Sequence, residues 1–403
     1  MLKKLKIKEL DRFCQICGRE KGEILHHQNF YLPDDSVLPE EYDIVCCSNC
    51  GFVFADTIAN QKVYNIFYEN FSKYENLDSS ISSGGGTTKK DKERFLFIIE
   101  IIKKFLPKKE TSVLDIGCAN GGLLNLMKEE GYINLTGLDP SQNCVNFVKK
   151  IGIHCFKGDI FSIKRIFNDK KFDFIILSHV LEHIYDLKKL AKIISKLLNE
   201  NGILYIETPD AEEYLNHFIV PYYFFDSEHI NHFSASSIEN LFYDLRLSPI
   251  LHQKRNLELN NNILYPTVSV MFKKDKKSNI KNLITDFSVK KSILSFVEKS
   301  KDRENYSEIK NIAIQQIPVI VWGAGSQTTR LLSNSILKEC NIQAFVDSDR
   351  KKQGSFIKNI PVYSPEEINN FDGIIIISVA LNSLEVLNLV KEMGLNNQTI
   401  IIN

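Results

Sequence analysis

The chain has 403 residues, 43% of them hydrophobic and 25% charged; at ~100–200 residues per domain this points to two to four packed units and excludes wholesale disorder. Lys plus Arg and Asp plus Glu both number 50, which argues against a broad basic field for gripping nucleic acid. No apolar run approaches the ~18 residues of a membrane span, and positions 1–10 are charged throughout without an apolar signal core, so a cytoplasmic protein is expected.

The first unit, 1–60, holds five of the nine cysteines. Too many thiols for simple pairing, mixing clustered and scattered positions, suit a reduced compartment with the cluster on metal. Cys14-Gln-Ile-Cys17-Gly18 and Cys47-Ser-Asn-Cys50-Gly51 are two knuckles. The two-residue gap turns both sulfurs of a tight loop toward one ion, and the following Gly can take a positive φ. Cys14, Cys17, Cys47 and Cys50 therefore make a closed tetrahedral zinc site, structural because no position is left open. A β-hairpin or loop fits between the knuckles. Cys46 is a fifth thiol without an assigned role, and His26 and His27 are read as surface histidines.

Positions 61–110 read as a helical lid and linker. Tyr64, Phe67, Tyr68, Phe71 and Tyr74 form an aromatic stripe near helical spacing, taken as packing. Ser82 to Thr88 is a Gly-rich break, either a lid or a plain linker. Lys89 to Leu106 is an amphipathic helix closed by Pro107.

The third unit, 111–275, alternates strand and helix signals. Strands are expected at Val113–Ile116, Leu135–Leu138, Phe172–Leu177 and Gly202–Glu207. Helices are expected at Leu123–Glu130, Cys144–Lys150 and Leu187–Leu198. Such alternation means a parallel sheet covered by helices on both faces. A helix near Ser236–Leu245 follows, then β-rich runs 248–256 and 263–273 turned by Asn260-Asn-Asn262. Positions 276–315 are Lys-rich and helical, a connector. Positions 316–403 start a second, smaller open α/β sheet: strand Ile317–Val321, the turn Gly323-Ala-Gly325, strands at Ile342–Val346, Ile374–Ser378 and Thr399–Ile402, and a helix over Asn382–Met393.

The chemistry concentrates in the third unit. In Val113-Leu-Asp115-Ile-Gly117-Cys-Ala119-Asn-Gly121 a strand delivers Asp115, the glycines turn the chain and a helix begins. Gly117 and Gly121 are expected to let a ligand approach the backbone. The next strand ends in Asp139, an acid suited to ribose hydroxyls. A dinucleotide loop would carry a third glycine where Ala119 stands. Asp115 would repel a phosphate but suits a cation such as an α-ammonium group. Gly158-Asp159-Ile160 ends the following strand region, where an Asp can read an adenine amino group beside an apolar neighbour.

Together with Ser178-His-Val-Leu-Glu182-His183 and Asn201-Gly-Ile-Leu-Tyr-Ile-Glu-Thr-Pro209, these segments resemble the ordered motifs of class I S-adenosylmethionine-dependent methyltransferases. The resemblance implies an α/β fold: a central seven-stranded Rossmann-like sheet between the zinc-binding module and a smaller C-terminal Rossmann-like domain. It implies that Asp115, Gly117 and Ala119 line the methionine end of the cofactor, Asp139 the ribose, and Asp159 and Ile160 the adenine. Gly121 and Ser178 belong to the same set. Ala119 replaces the commoner glycine and narrows the loop.

The whole order resembles the sugar C-methyltransferases that act on nucleotide-linked keto-sugars, and relatives from surface-polysaccharide clusters. In that family the substrate lies between the central and C-terminal domains. The C-terminal run Val321-Trp-Gly-Ala-Gly-Ser326 through Val346-Asp-Ser-Asp349 is also similar to nucleotide-binding half-domains of sugar acyltransferases. Asp347 ends its second strand, but the third glycine of a dinucleotide fingerprint is missing, so nicotinamide is not expected. The unit reads as a substrate-nucleotide cradle or a packing domain.

C-methylation needs a base for the proton α to a ketone. The family's Tyr-x-Glu-His run appears here as Asp226-Ser-Glu228-His229, with Asp226 in the tyrosine position. His229 is then the base and Glu228 orients the imidazole or a sugar hydroxyl. His183 lies on the rim after the fourth strand, either touching substrate or structural. Glu182 reads equally as a helix-start carboxylate, and His232 as a satisfied structural histidine. A similar Glu-His run occurs in O-methylating relatives, so O- or N-methylation of a sugar or small metabolite is the alternative. A non-catalytic zinc-stabilised scaffold is the third.

Overall fold

The computed structural model describes residues 5–70, 88–259, 263–275, 282–304, 306–368 and 371–402. The Gly84–Gly86 break, Phe71, Tyr74 and the Asn260–Asn262 turn lie outside the described residues.

Four antiparallel strands, β1 (Ile7–Glu9), β2 (Lys21–Asn29), β3 (Glu41–Cys47) and β4 (Val53–Asp56), form the first sheet. All four residues of β4 are buried, because its outer edge is covered. The covering strand is Asn231–His232, from far along the chain, with Asn231 opposite Phe54 and His232 opposite Val53. The module expected at 1–60 is therefore not closed on itself. Its sheet takes a fifth strand from the central unit.

Helices α1 (Gln61–Asn70) and α2 (Lys89–Phe105) follow. Thr88 and Asp91 form a capping box that starts α2, satisfying two backbone donors that a helix start leaves open. The central unit runs β5 (Val113–Ile116), α3 (Gly122–Glu129), β6 (Leu135–Asp139), α4 (Gln142–Lys150), β7 (His154–Lys157), α5 (Ile163–Phe167), β8 (Phe172–Ser178), α6 (Leu187–Leu197) and β9 (Leu198–Pro209). The Asn231–His232 strand is β10; α7 (Ala235–Phe242) and the hairpin β11 (Leu247–Glu258) and β12 (Leu264–Lys274) complete it. The seven strands lie in the order β11-β12-β9-β8-β5-β6-β7. The five from β5 to β9 are parallel, and β12 runs antiparallel to both neighbours. The central parallel strands β5 and β8 are buried on both faces, as helices on either side require, while the edge strand β7 is largely exposed. In α6 the buried Leu187, Leu190, Ala191, Ile194 and Leu197 recur every three to four residues, the stripe that docks a helix on a sheet.

Helices α8 (Ser288–Arg303) and α9 (Ser307–Gln315) realise the connector. The buried Val289, Ile293 and Phe296 of α8 share one core with Ile44 and Ala55 of the first sheet and Tyr214 and Phe225 of the central unit. The last unit holds β13 (Pro318–Trp322), α10 (Ser326–Asn334), β14 (Asn341–Val346), β15 (Phe356–Ile357), β16 (Ile360–Tyr363), β17 (Ile374–Ile377), α11 (Ser383–Glu392) and β18 (Thr399–Ile401). Its order is β15-β16-β14-β13-β17-β18. The short pair β15 and β16 had no clear alternation signal in the sequence. This unit touches the first sheet directly: Tyr31 N–H donates to Thr329 O at 2.9 Å. Among the described residues no helix is long and apolar enough to cross a membrane.

Candidate active site

Strand order reverses between β5 and β8, where an open α/β sheet leaves a crevice at its carboxyl ends. A cavity of about 580 Å³ occupies it, within the ~300–1,000 Å³ range of small-molecule sites. Asp115, Gly117, Ala119, Asp139, Asp159, Ile160 and Ser178 line one end, and His183, Glu228 and His229 the other. Gly121 does not line it and caps α3 instead. Both glycines also answer a need of the fold itself. Gly117 and Gly121 have φ of 73° and 72°, and an added Cβ would meet Val180 Cγ2 at 2.7 Å and Val148 Cγ2 at 2.8 Å. The left-handed turn and the protein's own packing require them. Ala119 also takes a left-handed φ, of 47°.

The loop presents its N–H groups to the acid of the next strand. Ala119 N–H donates to Asp139 Oδ2 at 2.8 Å, and Ser141 N–H to Oδ1 at 2.9 Å. Asp115 is 5% exposed. Burial, with Asp139 adding, pushes its carboxyl up to about 8, and Arg94 opposes this only in part. A buried carboxyl held neutral in this way is stabilised as its anion by a nearby cation. Asp159 accepts from Ser162 N–H at 2.8 Å and also from the Asn65 side chain of α1. Helix α1 thus reaches the adenine end of the expected cofactor.

Glu207 is wholly buried at the end of β9 between two arginines. Arg255 Nη2 donates to it at 2.6 Å and Arg94 Nη2 at 3.3 Å, and Arg94 also donates to Ser178 Oγ at 2.7 Å. Burial opposes its charge, yet His179 and the two arginines together hold Glu207 well below the usual carboxylate range. The two arginines offset Glu207, and Glu182, on the other side of His179, adds a second buried anion, so this wall carries no positive excess. The sequence reading assigned neither arginine nor Glu207, since charges so far apart in sequence carry no local signal.

The histidine end is the most convergent part. Tyr68 Oη donates to Glu228 Oε2 at 2.8 Å and lies 2.7 Å from His183 Nδ1. Since that phenol proton goes to Glu228, the network assigns the His183 proton to Nδ1 and leaves Nε2 as an acceptor. Burial, with His229 adding, holds His183 below its ordinary range, hence neutral. The His229 ring meets it edge-on, centroids 4.7 Å apart. Tyr68 was read as packing; it lines the cavity instead. Its stripe had one face toward the core and one toward the site, which periodicity alone does not distinguish.

Three further residues differ from expectation. Glu182 does sit in the first turn of a short helix, Leu181–His183, but it is 1% exposed, and its Oε1 lies 3.2 Å from His179 Nδ1. His26 is no surface histidine: it stacks on Tyr222 at 4.7 Å, and burial brings it down to about 4. His232 is buried with Nδ1 3.3 Å from Tyr214 Oη, but its Nε2 has no partner among the described residues. Asp226 turns from the cavity toward the last unit, where Arg330 is the leading group holding its carboxylate down against burial.

At the knuckles, one sulfur each of Cys14, Cys17, Cys47 and Cys50 lie within 4.8 Å of one another, with Cys14–Cys50 at 3.6 Å and Cys17–Cys47 at 3.5 Å. A tetrahedral zinc with bonds of ~2.3 Å needs sulfurs about 3.8 Å apart, so the set fits that ion. Cys46 stands outside it, its Sγ 3.5 Å from Gly51 O.

Residues 91–247 match the family profile of a methyltransferase domain, and residues 315–401 match one described as C2185-like, N-terminal. A ubiquinone biosynthesis O-methyltransferase of Pelagibacter ubique is 32% identical over 123 residues, 29% of this chain and 50% of that protein. A probable (S)-tetrahydroprotoberberine N-methyltransferase 2 of Papaver bracteatum is 30% identical over 113 residues, 27% of this chain and 31% of that protein. The chain spans half or less of the length of these curated relatives. A crystal structure of a SAM-dependent methyltransferase from Archaeoglobus fulgidus superposes with TM-score 0.35 at 20% identity, covering 45% of this chain and 94% of that one.

Proposed function

We propose that the chain transfers a methyl group from S-adenosylmethionine to a small acceptor, and that the acceptor is a nucleotide-linked keto-sugar methylated at carbon. One observation carries the reading: a single cavity joins the Asp115–Asp139–Asp159 end to the Tyr68–His183–Glu228–His229 end. The methyltransferase-domain match supports the cofactor. When bound, S-adenosylmethionine supplies an electrophilic methyl. Asp115 would hold its α-ammonium group, Asp139 its ribose, and Asp159 with Ile160 its adenine. His229 takes the proton α to the ketone, and Tyr68 fixes the Glu228 carboxylate beside it. Zinc on Cys14, Cys17, Cys47 and Cys50 is structural. The resemblance of the module order to enzymes of surface-polysaccharide clusters supports a role in surface-polysaccharide or related sugar biosynthesis.

A second reading is O- or N-methylation of a small acceptor, favoured by the names of the matched relatives. His229 then deprotonates a hydroxyl or an ammonium. Incubating a keto-sugar nucleotide with the protein in deuterated water separates the two. The first reading expects exchange of the α-proton in wild type and its loss in His229→Ala. No exchange in wild type, with an O-methyl or N-methyl carbon in the product NMR spectrum, establishes the second. Calorimetry showing no binding of S-adenosylmethionine overturns both in favour of a scaffold.

A further inference from the structure

Arg12 lies two positions before Cys14 and is 1% exposed. A buried guanidinium normally sits against a carboxylate; this one is spent on backbone carbonyls. Its Nη1 donates to Ile230 O at 3.2 Å, and its Nη2 to Ile184 O at 3.2 Å and Tyr185 O at 2.6 Å. Ile184 directly follows His183, and Ile230 directly follows His229. One rigid fork therefore grips the two loops that carry the facing histidines. The rings of Tyr185 and Phe54 lie 4.6 and 5.4 Å from it. The fork is itself anchored: Arg12 N–H donates to Asp56 Oδ1 at 2.7 Å, and Lys8 Nζ pairs with Asp56 Oδ2 at 2.8 Å.

The loops are bound to each other at the same place. Asn231 Nδ2 donates to Leu181 O at 2.9 Å and Ile184 O at 2.8 Å, and Ile230 N–H to Glu182 O at 2.9 Å. We propose that Arg12 is a positioning residue: it sets the spacing of His183 and His229 and makes the four-Cys module part of the active-site framework. The planar, five-donor guanidinium is the side chain that reaches several carbonyls at fixed angles. A lysine keeps the charge but not the fork, and a methionine removes the donor of Tyr185 O and leaves Ile184 O to Asn231 and Ile230 O to Ala55 N–H, so the two loops lose their common tie. The functional meaning rests on the reading of His229 as base; the geometric claim does not.

The test is a spectrum of the full chain, as purified, with ¹⁵N-labelled histidine side chains. His183→Gln and His229→Gln assign the two signals. In Arg12→Met both are expected to move from their wild-type positions, while His154 on β7 and His252 on β11, at opposite edges of the central sheet, stay in place. In Arg12→Lys the same two signals move by less. Superposition of the Arg12→Met and wild-type signals of His183 and His229 overturns the proposal, as does an equal shift of all the histidines. If Arg12→Met does not fold, Arg12→Lys decides on the same two signals: displacement supports the proposal and superposition overturns it. Failure of methyl transfer with every acceptor would sink the functional reading and leave this result standing.

Discussion

Asp115 gives up stability for binding. Its folded-state value of about 8 lies above the ordinary 3.8. The unfolded chain therefore loses this proton near pH 4 while the folded one keeps it. Stability contributed by the protonated carboxyl is full below pH 4 and is lost as the pH rises toward about 8. Asp115→Asn removes that loss, so the ligand-free variant should melt higher than wild type at pH 7, with an advantage growing between pH 4 and 8. The same substitution should abolish S-adenosylmethionine binding. In wild type a bound cation favours the carboxylate, so binding below about pH 8 should release a proton. Calorimetry in buffers of different ionisation enthalpy reads this directly, and an unchanged heat across buffers contradicts it. Asp115 and Asp139 were legible in the sequence because strand-end acids around a glycine turn are local patterns. Tyr68 and Glu207 were not, because each acts through partners distant in sequence.

The decisive element is β10, two residues long. It pairs with β4 and follows Glu228-His229 with only Ile230 between, so the edge of the first sheet adjoins the histidine site. The knuckles flank the same sheet, with Cys47 ending β3. Zinc analysis should find one ion per chain. Its removal by a chelator should lower the melting temperature and disorder Glu228–His232, read as faster amide exchange there. Unaltered exchange at those residues after complete metal loss would show the module to be independent. The knuckles and six of the seven strands of the central sheet were marked in the sequence by Gly, Pro and apolar periodicity, while β7 was seen only as a strand region ending near Gly158. A two-residue strand has no periodicity to mark it.

At the scale of the whole molecule, the units meet through buried charge. Arg330 of α10 is 4% exposed, donates to Phe225 O at 3.4 Å and is the leading cation acting on Asp226. Removing one member strands the other. Arg330→Met should cost about 3–5 kcal/mol of stability, measured by denaturant unfolding. Adding Asp226→Asn should recover much of it; additive losses in the double variant would mean that the two residues do not act on each other. Position 226 faces the C-terminal unit rather than the cavity, and Tyr68 brings a phenol to Glu228 from α1.

The pairing of β4 with β10 also bears on the order in which the protein can be made. The ribosome delivers Val53–Asp56 long before Asn231–His232, and at ~5–20 residues per second the first sheet waits on the order of ten seconds or more with a bare edge. During that wait the carbonyls that Arg12 will hold are still arriving, Ile184 and Tyr185 first and Ile230 only just before Asn231. The histidine site is thus among the last parts of the central unit to be assembled. The nascent chain meanwhile carries an apolar strand open to wrong partners, and rapid metal capture by the knuckles is the step that would keep it in register.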